Sequence, residues 1–380
     1  MAVVGAGPLA LARAQRAQTA RVLLETTTVP IIDVAFAAGF QSVRQFNATV
    51  REVFATTPGE LRCRAQLQGR SEGSGAVVLR LPYRAPLEAE ALIAFLGFRA
   101  VPGVDEVSSG TYRRSLRLPH GTGTVEFQSS EGHLRARYWL EDLRDLAAAV
   151  QRSRSLFDLD SDPHAVVEAL GRDRLLGPLV RSNPGRRVPG HVDGNELAVR
   201  AVLGQQVSVA GAATLAGRLT LAYGQRLLRP LGAVTHVFPT AEALADADPS
   251  HLAMPATRRL ALFALAGALA RGEIALDAGV DRVETQSRLL ALPGIGPWTV
   301  SYIAMRTLRD PDAFLPNDLG IRRALEHLGH DGSATAAGQL SERWRPYRAY
   351  AAQHLWAQLP AAALSTRARP SELQPNQVAA

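Results

Sequence analysis

The stretch ALPGIGPWTVSYIAMRTLRDPDAFLPNDLGIRRAL, residues 291–325, decides how the chain is read. Two glycines, Gly294 and Gly296, flank Ile295 between two helical segments. Glycine allows backbone angles and close approaches that a Cβ forbids. The turn can then aim amide N–H groups outward at the start of a helix from Trp298. Such a nest binds an anion, and a DNA phosphate is the natural one. Ile295 is expected to anchor the turn in the core. An ordinary helical hairpin without a ligand is the competing reading. Further on, an apolar run and a proline lead into Asn317 and Asp318 at another helix start. Both residue types are preferred N-caps, so capping alone accounts for either one locally.

A chain of 380 residues is too long for one core and implies two or three domains. No apolar run approaches the ~20 residues of a membrane span. The N-terminus is apolar but lacks a basic leader and is interrupted by Arg13 and Arg16. No signal peptide and no membrane are expected, and the location read from this is cytoplasmic. The net charge of +7 favours a polyanionic partner, nucleic acid first, although a genome rich in Arg and Ala gives the same number. Cys63 is the only cysteine, which excludes an intrachain disulfide, a Cys-rich zinc site and a cysteine-ligated iron–sulfur cluster. All 42 basic residues are arginine, so no lysine exists to form a Schiff base.

Outward from the hairpin, the pattern is helical from Glu141 to about Ala363. Residues 77–140 alternate like strands in AVVLRLPY, TYRRSLRL, GTVEFQSS and HLRARYWL, with a helix in PLEAEALIAFLGFR. This predicts a small α+β unit with an antiparallel sheet. Residues 1–66 read as helices, with Pro30 opening one, Gly39 turning, and Ser42 capping a helix through Phe54, which is helix-turn-helix spacing. The boundaries follow: 1–66, a Gly/Ser-rich linker 67–76, an α+β domain with connecting helices 77–190, a helical domain 191–363, and a disordered tail 364–380. Gly5, Gly7 and Ala10 fit a loose dinucleotide fingerprint, but no βαβ unit surrounds them.

LPGIGPWTVSYIAMR followed by FLPNDLGIRRAL resembles the helix-hairpin-helix DNA glycosylase superfamily, and most closely the 3-methyladenine DNA glycosylase II family of bacterial alkylation repair. RVPGHVDGNELAVRAVLGQQVSVAGAATLAGRL (187–219) and SERWRPYRAYAAQHLW (341–356) are similar to that family's helical segments. The resemblance implies two helical lobes around a cleft after the α+β domain. It implies that Asp318 is the catalytic carboxylate and that Trp298, Tyr302 and Trp356 form the base pocket. It implies a monovalent cation, Na or K, held by the carbonyls of Leu290, Leu292 and Gly294, with no required cofactor, no zinc and no iron–sulfur cluster. Gln206 takes the place of the side chain that fills the gap left by a flipped base, and a loop-capping role is its alternative.

The implied chemistry is coherent. A base must leave the stack before its glycosidic bond can be reached. Alkylation puts positive charge on a purine, and an aromatic pocket attracts such a base by stacking and cation–π contact. One carboxylate can then stabilise the oxocarbenium-like sugar and orient water. Bifunctional members of the superfamily use a hairpin lysine where this chain has Trp298, so a monofunctional enzyme acting on double-stranded DNA with alkylated bases is expected.

DVAFAAGFQSVRQFNATVREVFATTPGELR resembles an AraC-type helix-turn-helix through Ala37, Gly39, Phe40, Phe46, Phe54, Pro58 and Leu61. The resemblance implies that the sequence enters that domain part-way, so only one complete motif is expected. Arg44 is expected to face a major groove, with promoter DNA as a possible partner. Fusions of this kind carry a zinc-bound methyl-acceptor domain upstream, and neither that zinc nor that activity is carried over here. The resemblance leaves two classes of function: a nucleoid-associated monomeric glycosylase, and a transcription regulator whose glycosylase half only binds damaged DNA.

Overall fold

The strand-like alternation between residues 77 and 140 forms one antiparallel sheet in the computed structural model of the chain, which describes residues 8–27, 29–67, 76–248, 254–277 and 279–359. Gly5, Gly7, most of the expected linker and the expected tail lie outside the described residues. The strands are β1 (Val77–Pro82), β2 (Asp105–Ser108), β3 (Thr111–Arg117), β4 (Thr122–Ser130) and β5 (His133–Leu140), in the order β1-β5-β4-β3-β2. Four of the five were expected. β2 is only four residues long and pairs Val107 with Tyr112 across the turn, too short a run to alternate visibly. The helix Ala89–Phe98 lies against β2 and β3, and Gly97 is where it comes closest: a Cβ there would sit 2.6 Å from Val107.

Three helices, Pro8–Thr26, Ile31–Ala37 and Val43–Phe54, build the helix-turn-helix, followed by Pro58–Leu67. Ser42 caps the third by accepting the Gln45 N–H, and Gly39 makes the turn at φ +81°. These helices do not stand apart from the sheet. Helix Pro8–Thr26 packs beside edge strand β1, and Leu23, Leu24, Val34 and Phe46 share one core with Val77, Tyr112, Phe127 and Phe157. Apolar side chains at helical spacing show that a face is buried, not which partner buries it.

From Leu146 onward the described chain is helical, with one exception. Strands β6 (Arg226–Leu231) and β7 (Val234–His236) form a hairpin that leans on β3 and β4, and the Arg117 guanidinium donates to the Phe238 carbonyl at 3.0 Å. This hairpin was read as helix. RLLRPL does not alternate, Pro230 interrupts it, and Leu228 stays exposed.

The helical part has its own core, into which Val101 and Val104 reach from the α+β domain. A buried polar group seals the join. Arg114 on β3 pairs with Glu196 at 2.7 Å, and Arg200 reaches the same carboxylate at 2.9 Å. Asp105 accepts the Tyr112 hydroxyl at 2.8 Å and the Val101 N–H at 2.6 Å. No described helix is long and apolar enough to cross a membrane.

Candidate active site

Helix Arg282–Leu290 and helix Pro297–Arg306 meet at the two-glycine turn. Gly294 sits at φ +76°, and a Cβ there would lie 2.7 Å from the Ala261 Cβ. Gly296 has ordinary backbone angles and nothing within 4 Å of a Cβ position. One glycine is required by the fold. The other leaves open space beside the helix N-terminus. Ile295 is buried as expected, and the helix begins at Pro297, one residue before Trp298, where a missing N–H costs nothing.

Helix Pro297–Arg306 brings Trp298 and Tyr302 onto one face, four residues apart. Their rings stack with centroids 5.2 Å apart and planes 6° from parallel. Helix Arg348–Trp356 ends on Trp356. Asp318 is the N-cap of helix Leu319–His327, its Oδ1 accepting the Ile321 N–H at 2.9 Å. The carboxylate does more than cap. Trp298 Nε1 donates to Oδ2 at 2.9 Å, and Trp356 Nε1 donates to Oδ1 at 2.7 Å. The structure therefore gathers Asp318, Trp298, Tyr302 and Trp356, all half-buried, into one cluster. Asn317 beside it is exposed.

Beneath Tyr302 lie groups that were not anticipated from sequence. Arg306 donates to the Tyr302 hydroxyl at 2.7 Å and is held by the carbonyls of Pro189 and Gly190. The positive charge of Arg99 also acts on Tyr302, and the Arg99 guanidinium lies 3.7 Å from the centre of the Phe95 ring. Burial pushes the Tyr302 phenol up, but Arg306, Arg99 and Arg200 outweigh it and leave the group below its ordinary value. Arg306 follows Tyr302 by one helical turn, a spacing visible in sequence. Arg99 and Phe95 come from the α+β domain and give no such signal.

Gln206 lies in the loop between helices Gly194–Leu203 and Val209–Tyr223. It is exposed and holds a left-handed backbone at φ +58°, uncommon for a residue with a Cβ. Of the carbonyls expected to hold a cation, that of Leu292 accepts the Ile295 N–H at 3.2 Å and that of Gly294 accepts from Gln205 at 3.0 Å, while Leu290 is an exposed residue at a helix end. Arg44 is exposed near the start of its helix, whereas Arg13, Arg21 and Arg62 are tied to neighbours inside the helix-turn-helix. A cavity of about 790 Å³ lined by Asp158, Asp310 and Tyr350 does not include Asp318.

Comparison with known proteins gives a consistent result. A family model described as the AlkA N-terminal domain matches residues 78–193, and a helix-turn-helix domain model matches residues 1–64. A Mycobacterium tuberculosis protein named probable bifunctional transcriptional activator/DNA repair enzyme AlkA is 53% identical over 360 residues, 94% of this chain and 73% of that protein. The Escherichia coli protein named DNA-3-methyladenine glycosylase 2 is 35% identical over 283 residues, 73% of this chain and 95% of that one. Among solved structures, a 3-methyladenine DNA glycosylase from Archaeoglobus fulgidus superposes with a TM-score of 0.63 at 21% identity, covering 73% of this chain and 97% of that chain. An 8-oxoguanine glycosylase/lyase from Clostridium acetobutylicum, solved with double-stranded DNA, gives 0.58 at 18% identity over 71% of this chain and 90% of that one. At such identities these structures speak to the fold.

Proposed function

The chain belongs to the AlkA family of DNA-3-methyladenine glycosylases, and on that premise we propose that it hydrolyses the N-glycosidic bond of alkylated purines in duplex DNA. The single observation that carries the mechanism is the Asp318 carboxylate held between the indole N–H groups of Trp298 and Trp356. A carboxylate is acceptor-only, and here three N–H groups fix its position and orientation. A purine flipped out of the stack lies against the Trp298–Tyr302 face, with its sugar beside Asp318. As the bond breaks, positive charge builds on the sugar, and the nearby carboxylate stabilises it while water attacks C1′. An alkylated purine is cationic before the bond breaks and takes the bonding pair to leave as a neutral base, so a second carboxylic acid is not needed to protonate it.

The absence of lysine supports base release without strand cleavage, leaving an abasic site. Gln206, exposed on a left-handed loop, fits the gap-filling role. The Gly296 side of the turn is open to a phosphate. A Na or K ion there would be held by carbonyl oxygens of Leu290, Leu292 and Gly294, each retaining a lone pair beyond any hydrogen bond it makes. Arg44 on the helix Val43–Phe54 supports binding of further DNA by the N-terminal helices. A monomer working on nucleoid DNA completes the reading.

The test is base release from alkylated duplex DNA, with products identified, by the wild type and by Asp318→Asn. Release of 3-methyladenine or 7-methylguanine by the wild type and none by the variant supports the assignment. A wild type that binds such DNA without releasing any base favours the regulator reading.

A further inference from the structure

Gln205, the neighbour of the exposed Gln206, is not free. Its side-chain Nε2 donates to the Gly294 carbonyl at 3.0 Å and to the Thr299 hydroxyl at 3.1 Å. A primary amide has two N–H donors, so both bonds form at once. The Gly294 oxygen can only accept, which fixes which end of the amide faces it. The two partners lie 89 and 94 residues further along the chain. One is the glycine of the hairpin turn with the obligatory positive φ. The other is buried and follows Trp298 directly.

The loop is pinned on its other side as well. Ser208 caps helix Val209–Tyr223 by accepting the Gly211 N–H at 3.1 Å. Residues 205 and 208 are thus both fastened, and Gln206 between them is held out in its left-handed conformation at φ +58°.

We infer that Gln205 is a positioning residue. It sets the distance between the side chain that enters the helix and the pocket that receives the extruded base. The inference rests on the glycosylase reading above. Gln206, Gly294, Thr299, Trp298 and Asp318 then form one connected path, so displacement of a base and its capture occur at the same nucleotide. Without the Gln205 amide, the loop keeps Ser208 but loses its register to the hairpin.

The test is Gln205→Leu, which keeps the bulk and removes both donors, assayed in single turnover on two substrates. One carries 7-methylguanine in a fully paired duplex. The other carries it opposite an abasic site, where extrusion needs less help. Excision from the paired duplex should fall roughly ten-fold, the scale of one or two lost hydrogen bonds. Excision opposite the abasic site should stay within about two-fold. Gln206→Ala should show the same split, and the double variant should be no worse than Gln206→Ala alone, because Gln205 acts through its neighbour. Equal losses on both substrates, no loss on either, or additive effects in the double variant overturn the role of Gln205 and leave the glycosylase reading standing. A wild type inactive on both substrates overturns the reading and this inference together.

Discussion

The indole nitrogen of Trp356 lies 2.7 Å from Oδ1 of Asp318, the same oxygen that receives the Ile321 N–H at 2.9 Å. Capping and pocket assembly therefore use one atom. The residue that starts one helix also holds the last residue of another helix in place.

Asp318→Asn should lower base release by at least about 100-fold while keeping duplex binding, because it removes charge and not shape. Its amide oxygen can still cap, but the amide nitrogen then faces one indole N–H with no acceptor. A stability loss of about 1–2 kcal/mol should accompany the activity loss. Turnover near wild type, measured with the same alkylated duplex, would refute the catalytic assignment.

Trp356→Phe separates stacking from hydrogen bonding. The aromatic face remains, the N–H donor goes, and base release should drop about ten-fold with little change in affinity, which phosphate contacts dominate. Trp356→Ala should lose more. If Phe and Ala behave alike, the bond to Asp318 and not the ring is what matters; a Phe variant as active as the wild type would refute a role for that bond.

The two hairpin glycines should respond oppositely to alanine. Gly294→Ala places a Cβ at φ +76° and against Ala261, and should cost about 2–4 kcal/mol in thermal or urea melts. Gly296→Ala meets nothing and should leave stability within about 0.5 kcal/mol. It should instead weaken duplex binding. An unaltered titration curve for Gly296→Ala argues against phosphate approach at that turn.

His354 is buried in the helix that carries Trp356. Burial, helped by the positive charge of Arg186, brings its imidazole down to about 3 from the usual 6.5. The folded form keeps it neutral, while the unfolded chain takes up a proton below about 6.5. Stability is therefore full above that pH and lost as pH falls toward about 3, at ~1.4 kcal/mol per pH unit for this group. His191, buried between Arg114, Arg200 and Arg306, shifts in the same direction. Urea melts at pH 7 and pH 5 should show the loss, and His354→Gln should flatten it. Greater stability at pH 5 than at pH 7 contradicts this.

Deleting residues 1–66 should cost stability, because Leu23, Leu24 and Phe46 leave the core they share with the sheet. Per folded molecule, excision should persist, and the dependence of affinity on salt should weaken as arginines are lost. An unchanged melting temperature would mean that the helices stand apart from the sheet.

Much of this was legible because it is local. Alternation announced four of the five strands of the main sheet, Ser42 and Gly39 announced the helix-turn-helix, and the Gly294–Gly296 spacing announced the hairpin. Asp318 was legible twice over, once as a cap and once through its distance from the hairpin. What escaped was long-range. Nothing in the sequence around Gln205 says that its amide will meet Gly294, and nothing around Arg99 says that it will lie under Tyr302. The β6–β7 hairpin escaped because its stability comes from β3 and β4 rather than from its own pattern. The shared core of the helix-turn-helix and the sheet escaped for a related reason. A Gly/Ser-rich composition does not say whether the pieces on either side of it pack together.

The shared core beneath the helix-turn-helix removes a degree of freedom. Two DNA grips joined by a slack leash can each settle on straight duplex and choose their own angle. Two grips cast into one body cannot. If Arg44 and the hairpin engage the same DNA, its path must already suit the angle between them or must bend to it, and that bend is drawn from the binding energy. Duplex that yields easily, as it does where a damaged base stacks poorly, is then favoured before any base is examined. On that condition the protein's own interior would act as a gauge of DNA stiffness.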